Sequence, residues 1–458
     1  MTAKETAKLY LGVDVGGTKI LAALADPQGG IVARERCATP RDASAEDTLA
    51  AIIDAMARAL DAGQAGLDDL AGIGLAIPGV VDPDKGFVVV TPNMNLTGLE
   101  VEGPVEERFG VPVALGNDVN LGTLGEKWLG AARYATSAVG IFVGTGIGGG
   151  VIVDGKIVRG CREGAGEIGH LVMQLGGPLC GCGNRGCLEA LASRTAIERD
   201  IRAAIAEGRA SAIEEELGDP AAPIKSKALR RALKAEDPVV TEVLRHAAEI
   251  LGYACLSVRH LLDPDVIVLG GGVIEACGSF VTPIVREIVA ADALAGARAG
   301  GAIVESELAD DAVVLGAVAL AQQVSGGRPL EDAADHVPDY PKIKYAGAGE
   351  VAVGGKVYTN DIWIRGDGKV KKRNKKLAKE QYGTSHKIGP AELDKLCKGS
   401  PQTIVIGMGQ NGMAGLTPEG EAYLSTRGIE VVCLPSAKAV KEFNRTKGRK
   451  AAIIHVTC

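Results

Sequence analysis

The amino-acid sequence predicts an α/β protein of two similar lobes, followed by a smaller basic domain. In residues 9–325, apolar strands run repeatedly into glycine-rich turns and helical segments follow them, a pattern typical of α/β folds. A weak internal repeat divides this region into two halves. The net charge is −17 over residues 1–338 and +10 over residues 339–458. The 458 residues are enough for about three domains.

The composition excludes a disordered or fibrous protein. Apolar residues make up 46% of the chain and charged residues 23%, as in ordinary globular proteins. The first residues contain no apolar signal segment, and no apolar run approaches the ~18 residues of a membrane span. We therefore expect a cytoplasmic protein without a membrane partner. The 63 glycines against 15 aromatic residues indicate many tight turns, some of them with backbone close to a ligand.

Each half of the acidic region begins with a strand that enters a glycine turn. Leu9–Val15 leads into Gly16-Gly17-Thr18, and Ala138–Val143 leads into the run Gly144–Gly150. Two short strands and then alternating helices and strands follow in both halves. Two related halves that face each other would form a cleft with a glycine turn in each wall. Two unrelated α/β domains with hairpins are the alternative.

The glycine turns are candidates for phosphate binding. Adjacent glycines let backbone N–H groups converge on phosphate oxygens, and the hydroxyl of Thr18 adds a donor. The run Asp14–Lys19 lacks the Gly-Lys-Ser/Thr spacing of a P-loop. A third turn, Gly270–Gly272, follows another apolar strand. One such turn is often a plain hairpin, but three at strand ends favour a nucleotide between two lobes.

A cluster of cysteines predicts a metal site. Cys180, Cys182 and Cys187 fall within eight residues, and His170 lies ten residues upstream of the first. Three thiolates and one imidazole complete a closed tetrahedral site, which is typical of structural zinc. Three free thiols in a loop are the alternative.

Carboxylates accompany this cluster and one strand end. Glu167 and Glu189 each lie within three residues of a proposed zinc ligand, so a metal-held loop would fix them for hydrogen bonds from sugar hydroxyls. Asp118, in Asn117-Asp118, follows an apolar strand. It is either a helix N-cap or a general base that takes a proton from an attacking hydroxyl.

Residues 9 to about 325 resemble a sugar kinase of the ROK family (repressor, open reading frame, kinase), within the actin/hexokinase-like ATPase fold of duplicated ribonuclease H-like lobes. The resemblance rests on eight segments in family order: LGVDVGGTK, LAIPGVV, TPNMN, NDVN, GTGIGGG, GAGEIGH, CGCGNRGCLEA and VIVLGGGV. It implies lobes over residues 1–136 and 137–325. A linker over residues 326–341 and the basic domain over residues 342–458 would follow.

The resemblance also implies a role for each matching residue. It assigns ATP phosphates and Mg²⁺ to Asp14, Gly16, Gly17, Thr18 and Lys19, the second phosphate turn to Gly144, Thr145 and Gly146, and the adenosine turn to Gly271 and Gly272. It assigns the sugar to Asn93, Asn117, Asp118, Glu167, His170 and Glu189. Asp118 would be the catalytic base, and His170 would bind zinc through one ring nitrogen and the sugar through the other.

The expected reaction is phosphorylation of the 6-hydroxyl of a hexose by ATP, with structural Zn²⁺. Glucose is the first expectation, on family frequency. N-acetylglucosamine, N-acetylmannosamine, mannose and fructose remain alternatives. A homodimer is expected from the family. A sugar-sensing ROK repressor is the rival function, but such proteins carry a helix-turn-helix ahead of the kinase-like body. With the first strand at Leu9, we expect none here and no nucleic-acid partner.

The basic domain resembles the Mth938-like family, which implies a compact α+β fold and no agreed chemistry. The matching segments are GEVAVGGKVYTNDIWI, IVIGMGQNGMAGLTPE, RGIEVVCLPSAKAVKEFN and AAIIHVTC. Its turn Gly407–Gly412 is either an anion site at a helix N-terminus or a plain turn. The basic run Lys371–Lys379 is either a solvated face or a docking site for an acidic protein partner or nucleic acid. His455 is expected in the core, and Cys458 ends the chain.

Overall fold

The computed structural model describes ten stretches of the chain: residues 8–40, 43–92, 94–216, 223–294, 301–330, 337–347, 349–399, 401–410, 412–425 and 427–456. Asn93, part of the expected linker and Cys458 lie outside these described residues. The structure divides into two compact units, of which the larger ends at residue 334 and the smaller begins at residue 335.

The first lobe of the larger unit is built on a five-stranded sheet of order β3-β2-β1-β4-β8. A small three-stranded sheet, β5-β6-β7, lies beside it. The strands are β1 Leu9–Val15, β2 Lys19–Ala25, β3 Ile31–Ala38, β4 Leu70–Ile77, β5 Val80–Asp82, β6 Phe87–Val90, β7 Leu99–Glu100 and β8 Val113–Asn117. The helices are α1 Ala45–Ala62, α2 Glu102–Phe109 and α3 Asp118–Trp128.

The second lobe has a sheet of order β11-β10-β9-β12-β13. Its strands are β9 Ala138–Val143, β10 Ile147–Val153, β11 Lys156–Ile157, β12 Val266–Gly270 and β13 Ala302–Glu305. The helices that follow are α4 Leu188–Ala192, α5 Arg194–Ala206, α6 Ser226–Lys234, α7 Pro238–Leu262, α8 Gly272–Ala290 and α9 Ala312–Val324.

The two sheets have the same topology. In the first lobe, β1 pairs antiparallel with β2 and parallel with β4. In the second lobe, β9 pairs antiparallel with β10 and parallel with β12. The second strand pairs antiparallel with the third. The repeat predicted from the sequence is therefore a repeat of structure, and the alternative of two unrelated domains is wrong.

Helix α9 joins the lobes, because it follows the second sheet in the chain and packs on the first. A Cβ atom on Gly12 of β1 would lie 2.3 Å from the carbonyl oxygen of Val314, and one on Gly74 of β4 would lie 1.9 Å from that of Ala317. Only glycine permits this approach of helix to sheet. One hydrophobic cluster accordingly contains residues of both lobes, among them Leu21 and Val268. The predicted residue limits of the lobes stay a prediction.

The smaller unit combines a five-stranded sheet, β18-β17-β23-β20-β22, with two smaller sheets. Its strands are β14 Ile343–Gly347, β15 Glu350–Val353, β16 Lys356–Tyr358, β17 Ile362–Ile364, β18 Val370–Lys372, β19 Lys387–Ile388, β20 Thr403–Gly407, β21 Gly415–Leu416, β22 Glu430–Leu434 and β23 Lys450–Ile454. Its helices are α10 Lys375–Tyr382, α11 Pro390–Leu396, α12 Pro418–Ser425 and α13 Ser436–Arg445. The predicted α+β character of this domain is confirmed. Among the described residues of the whole chain, no helix combines the length and apolar character that crossing a bilayer requires.

Candidate active site

Two carboxylates lie where parallel strands of the first sheet end. Asp14 lies opposite Ala76 in the pairing of β1 with β4, and Asn117 lies opposite Ile77 in the pairing of β4 with β8. Asp118 follows directly as the first residue of α3. The carboxyl ends of parallel strands are where open α/β sheets bind ligands.

Burial controls the charge of both carboxyl groups. It raises the pKa of Asp14 from 3.8 to about 6; the nearby cations Lys19 and Arg36 act against this rise, and Asp310 adds to it. Burial also raises the pKa of Asp118 from 3.8 to about 6, and the charge of Asp14 adds to that rise. Each carboxylate therefore makes the other harder to ionise.

Asn117, rather than Asp118, caps helix α3. Its Oδ1 accepts hydrogen bonds from the backbone N–H groups of Val119 at 3.0 Å and Asn120 at 3.1 Å. Its Nδ2 donates to the carbonyl oxygen of Gly79 at 2.9 Å. The N-cap interpretation of Asp118 is thus wrong, because the preceding side chain occupies the cap. Asp118 accepts one bond, from the N–H of Val119 at 2.9 Å, through Oδ1.

The second glycine turn is shorter than predicted. The N–H of Gly144 donates to the carbonyl oxygen of Gly146 at 2.9 Å, and β10 begins at Ile147. The glycines Gly148–Gly150 therefore belong to a strand rather than to the turn. A Cβ atom on Gly148 would lie 2.4 Å from a methyl group of Val119 on α3. These glycines let the second lobe pack against the helix that begins at Asp118.

The third glycine turn lies next to the second. Gly271 precedes α8 with φ 84°, and a Cβ atom there would lie 2.6 Å from the carbonyl oxygen of Val143, the residue before Gly144. Burial and the charge of Asp310 raise the pKa of Glu275 on α8, and Lys19 of the first lobe opposes this. The charge of Lys19, which follows the first glycine turn, therefore acts on the first turn of α8.

The predicted metal ligands come together. In His170, Cys180, Cys182 and Cys187, one ligand atom of each residue lies within 4.8 Å of all the others. The Sγ of Cys180 is 3.6 Å from Nδ1 of His170, and the Sγ atoms of Cys182 and Cys187 are 3.7 Å apart. A zinc ion with Zn–S bonds of about 2.3 Å in tetrahedral geometry requires S···S distances of about 3.8 Å. The four side chains fit such an ion.

The two glutamates link this cluster to the rest of the site. The Oε2 of Glu189 accepts a hydrogen bond from the N–H of Ile147 at 2.9 Å, and its Oε1 lies 3.6 Å from the Sγ of Cys180. A Cβ atom on Gly146 would lie 2.2 Å from the same Oε2. Nε2 of His170 lies 3.9 Å from Oε2 of Glu167, on the ring edge opposite the thiols. The charge of Glu167 in turn reaches Asp118.

Contacts and charge interactions link the predicted residues Asp14, Asp118, Glu167, His170 and Glu189 one to the next, the last two through Cys180, and we call this series the row. Asn93 lies outside the described residues. Sequence reasoning missed four charged residues beside this row: Arg36, Arg194, Glu275 and Asp310. Nothing in their local sequence marks them, since each reaches the site through a contact with a distant residue.

A cavity of about 720 Å³ opens between α6, α7 and α8. Its lining includes Leu233, Arg245, Ala276 and Phe280. Ala276 lies one helical turn beyond Gly272, so the cavity adjoins the third glycine turn. No carboxylate of the row lines it.

The smaller unit has its own buried charge network. Arg373 is fully buried and pairs with Glu392 at 2.6 Å and Asp361 at 3.4 Å. Part of the basic run Lys371–Lys379 is therefore core rather than solvated surface. His455 is buried as expected, with Nδ1 2.5 Å from Oδ2 of Asp361, whose pKa is well below its ordinary value. Burial of Asp361 alone would raise this pKa; the hydrogen bonds from His455 and Val456 lower it.

The turn Gly407–Gly412 is not continued directly by a helix. It is followed by strand β21, and α12 begins only at Pro418. Its residue Gly409 contacts the start of α13 instead: the N–H of Gly409 donates to Oγ of Ser436 at 2.9 Å, and the N–H of Ser436 donates to the carbonyl oxygen of Gly409 at 3.1 Å. The anion-site hypothesis for this turn stays a prediction.

The family profiles match both parts of the chain. The profile described as ROK family matches residues 10–324, and that of a protein of unknown function, DUF498/DUF598, matches residues 343–455. Both resemblances inferred from the sequence are confirmed.

Similar proteins include enzymes and regulators. A glucokinase of Halalkalibacterium halodurans is 35% identical over 315 residues, which are 69% of this chain and 95% of that protein. The DNA-binding transcriptional dual regulator NagC of Escherichia coli is 30% identical over 314 residues, which are 68% of this chain and 75% of NagC. The crystal structure of a ROK family glucokinase from Streptomyces griseus in complex with glucose and AMPPNP is 32% identical. It aligns with a TM-score of 0.60 over 69% of this chain and 99% of that one.

Asp118→Asn is expected to stabilise the fold at neutral pH. The raised pKa of Asp118 means that its ionised form is disfavoured in the folded state. The ionised carboxylate of Asp118 destabilises the folded state by about 1–3 kcal/mol above pH 6, and this destabilisation disappears as the pH falls toward 4. Thermal unfolding between pH 5 and 8 should show a higher midpoint for the variant at pH 8 and a shrinking difference below pH 6.

The control for this comparison is Asp61→Asn, at an exposed carboxylate on α1. It should change the midpoint little at any pH. An Asp118→Asn protein that is less stable than the wild type at pH 8 would contradict the inferred cost of burying this charge.

Proposed function

The chain belongs to the ROK family and is a sugar kinase, and we propose that it transfers the γ-phosphoryl group of ATP to the 6-hydroxyl of glucose. The observation that carries the proposal is the position of Asp118. Its carboxyl group is partly buried beside Asp14, and its neighbour Asn117 occupies the helix cap in its place. Such a group can accept the proton of a sugar hydroxyl.

The three glycine turns would hold the nucleotide between the lobes. Backbone N–H groups of Gly16–Thr18 and Gly144–Gly146 would donate to phosphate oxygens, and Gly271 and Gly272 would contact the adenosine. Asp14 would hold Mg²⁺, which neutralises phosphate charge during transfer. Ionised carboxylate is a ligand type that Mg²⁺ prefers, and removing the mutual repulsion of Asp14 and Asp118 would favour binding of a cation there.

The sugar would lie along the row of polar side chains. Asn117, Glu167, His170 and Glu189 offer acceptors and donors for several hydroxyls, and Asn93 completes this set in our proposal. The carboxylate of Glu189 is fixed by the N–H of Ile147, and the ring of His170 is fixed on its thiol side. A site whose members are held in place before binding loses less conformational entropy on binding.

Asp118 would act as the general base. Its carboxylate takes the proton from the 6-hydroxyl as the sugar oxygen forms a bond to the γ-phosphorus. The bond from that phosphorus to the bridging oxygen breaks, and ADP leaves. With a pKa of about 6, Asp118 is ionised at pH 7 to 8 and remains basic enough to accept the proton. Closure of the lobes would exclude water and suppress hydrolysis of ATP.

Zinc would have a structural role. The three thiols and Nδ1 of His170 match a closed tetrahedral donor set, which leaves no open position for chemistry. The ion would fix the loop that contains Glu167, His170 and Glu189. A homodimer, and docking of a protein partner by the basic domain, are further parts of the proposal that rest on the sequence.

The first test is ADP release with glucose, N-acetylglucosamine, N-acetylmannosamine, mannose and fructose. Glucose should give the highest kcat/KM. A higher kcat/KM with another of these sugars would keep the kinase and overturn the choice of glucose. Sugar binding without ADP release, together with retardation of a specific DNA fragment in a gel shift across a salt titration, would favour a regulator similar to NagC instead.

The second test is Asp118→Asn in the same assay. The variant should fold and bind glucose, but its kcat should fall by about 10³-fold or more, because the amide cannot accept the proton. Glucose binding is measured by calorimetry and folding by thermal unfolding. Turnover within tenfold of the wild type would contradict the assignment of Asp118 as the base.

The third test is Cys182→Ser. The variant should lose the one equivalent of zinc that we expect per wild-type chain, measured by elemental mass spectrometry. Its KM for glucose should rise at least tenfold, because Glu189 and His170 lose their fixed positions. Cys161→Ser, at an exposed cysteine upstream of the cluster, is the matched control and should change neither quantity. Wild-type protein without zinc, or an unchanged KM in Cys182→Ser, would contradict the structural role.

A further inference from the structure

Arg194 places a positive charge on the second glycine turn. It is the first residue of α5, and its Nη2 donates to Oγ1 of Thr145 at 2.6 Å. Its backbone N–H donates to the carbonyl oxygen of Gly144 at 2.9 Å. The hydroxyl of Thr195 donates to the carbonyl oxygen of Thr145 at 2.8 Å. The turn and the start of α5 are therefore held together as one piece.

The guanidinium of Arg194 differs from those of Arg199 and Arg202 on the same helix in its ion pairing. Arg199 pairs with Asp200 at 2.7 Å, and Arg202 pairs with Glu198 at 2.9 Å. Within the described stretches of the chain, Arg194 has no carboxylate oxygen within 4.0 Å. Its contact with Thr145 uses one of five N–H groups. Among the described residues, the remaining donors have no anionic partner.

The surrounding charge favours an anionic ligand at this point. The row of site carboxylates from Asp14 to Glu189 is strongly negative, and a polyphosphate chain cannot lie along it without cations. Lys19 and Arg36 supply positive charge beside Asp14, at the first turn. Arg194 supplies it at the second turn, where Thr145 is exposed. A guanidinium binds phosphate oxygens through its parallel N–H groups, with strong charge-assisted bonds.

We infer that Arg194 binds the polyphosphate chain of the nucleotide, in concert with Thr145, an inference that rests on the proposed function. As the hydroxyl of Thr145 accepts a bond from Arg194, its own proton is directed away from the guanidinium and can be donated to a phosphate oxygen. Arg194 therefore both orients Thr145 and contacts the phosphates. The contact is to phosphate alone, so it should not affect recognition of the nucleoside or of the sugar.

Binding of ADP and adenosine to the full chain tests the inference. In Arg194→Ala, the Kd for ADP and the KM for ATP should each rise about 10- to 100-fold, as expected for lost charge-assisted hydrogen bonds. The Kd for adenosine and the KM for glucose should stay within twofold. Arg194→Lys retains the charge but lacks the two-pronged geometry and should give an intermediate Kd for ADP. Arg199→Ala, on the same helix, is the matched control and should behave like the wild type.

The outcomes separate this inference from the proposed function. A Kd for ADP within twofold of the wild type in Arg194→Ala overturns the inference. Equal weakening of ADP and adenosine also overturns it, because that pattern reports a disturbed turn rather than a lost phosphate contact. Wild-type protein that releases no ADP with any of the five sugars, yet binds ADP in an Arg194-dependent way, would reject the kinase and retain the phosphate contact.

Discussion

The charge interaction between two partly buried carboxylates, Asp14 and Asp118, is the constraint on which the site depends. Parallel pairing of β1, β4 and β8 ends the strands at one edge, and burial raises the pKa of both groups to about 6. A fold has reason to retain such a costly arrangement where a cation and a reacting hydroxyl relieve it. Burial of these carboxyl groups both disfavours their ionised forms and makes Asp118 a stronger base.

A second constraint joins the cluster of His170 and the three cysteines to the second glycine turn. Glu189 contacts a thiol of the cluster through one carboxylate oxygen and the N–H of Ile147 through the other. The residue before Ile147, Gly146, leaves no room for a side chain beside that carboxylate. Movement of the cysteine loop would therefore displace the second glycine turn. In the proposed function, sugar recognition and phosphate recognition would therefore share the support that Glu189 provides.

The smaller unit differs from the larger unit in how its buried charges are compensated. Its buried charges pair with one another, as in Arg373 with Glu392 and His455 with Asp361. Among the described residues, Nε2 of His455 is buried without a hydrogen-bond partner. Some of the basic side chains of this domain, whose net charge is +10 over residues 339–458, form these internal pairs. Within the basic run, Arg373 is thus part of the core, whereas Lys371, Lys372, Lys376 and Lys379 are exposed.

The sequence by itself determined the chemical types and the local structure. Strand-turn patterns located Asp14, the glycine turns and Asn117-Asp118, and the cysteine spacing located the four candidate ligands, because these signals depend on residues close together in the chain. Only the tertiary structure decided which groups meet. It placed Asn117 rather than Asp118 in the cap, gave Gly148–Gly150 to a strand, laid α9 on the first sheet and brought Arg194 to Thr145. The last two outcomes depend on packing between residues 49 to about 300 positions apart, where local sequence contains no information about the partner.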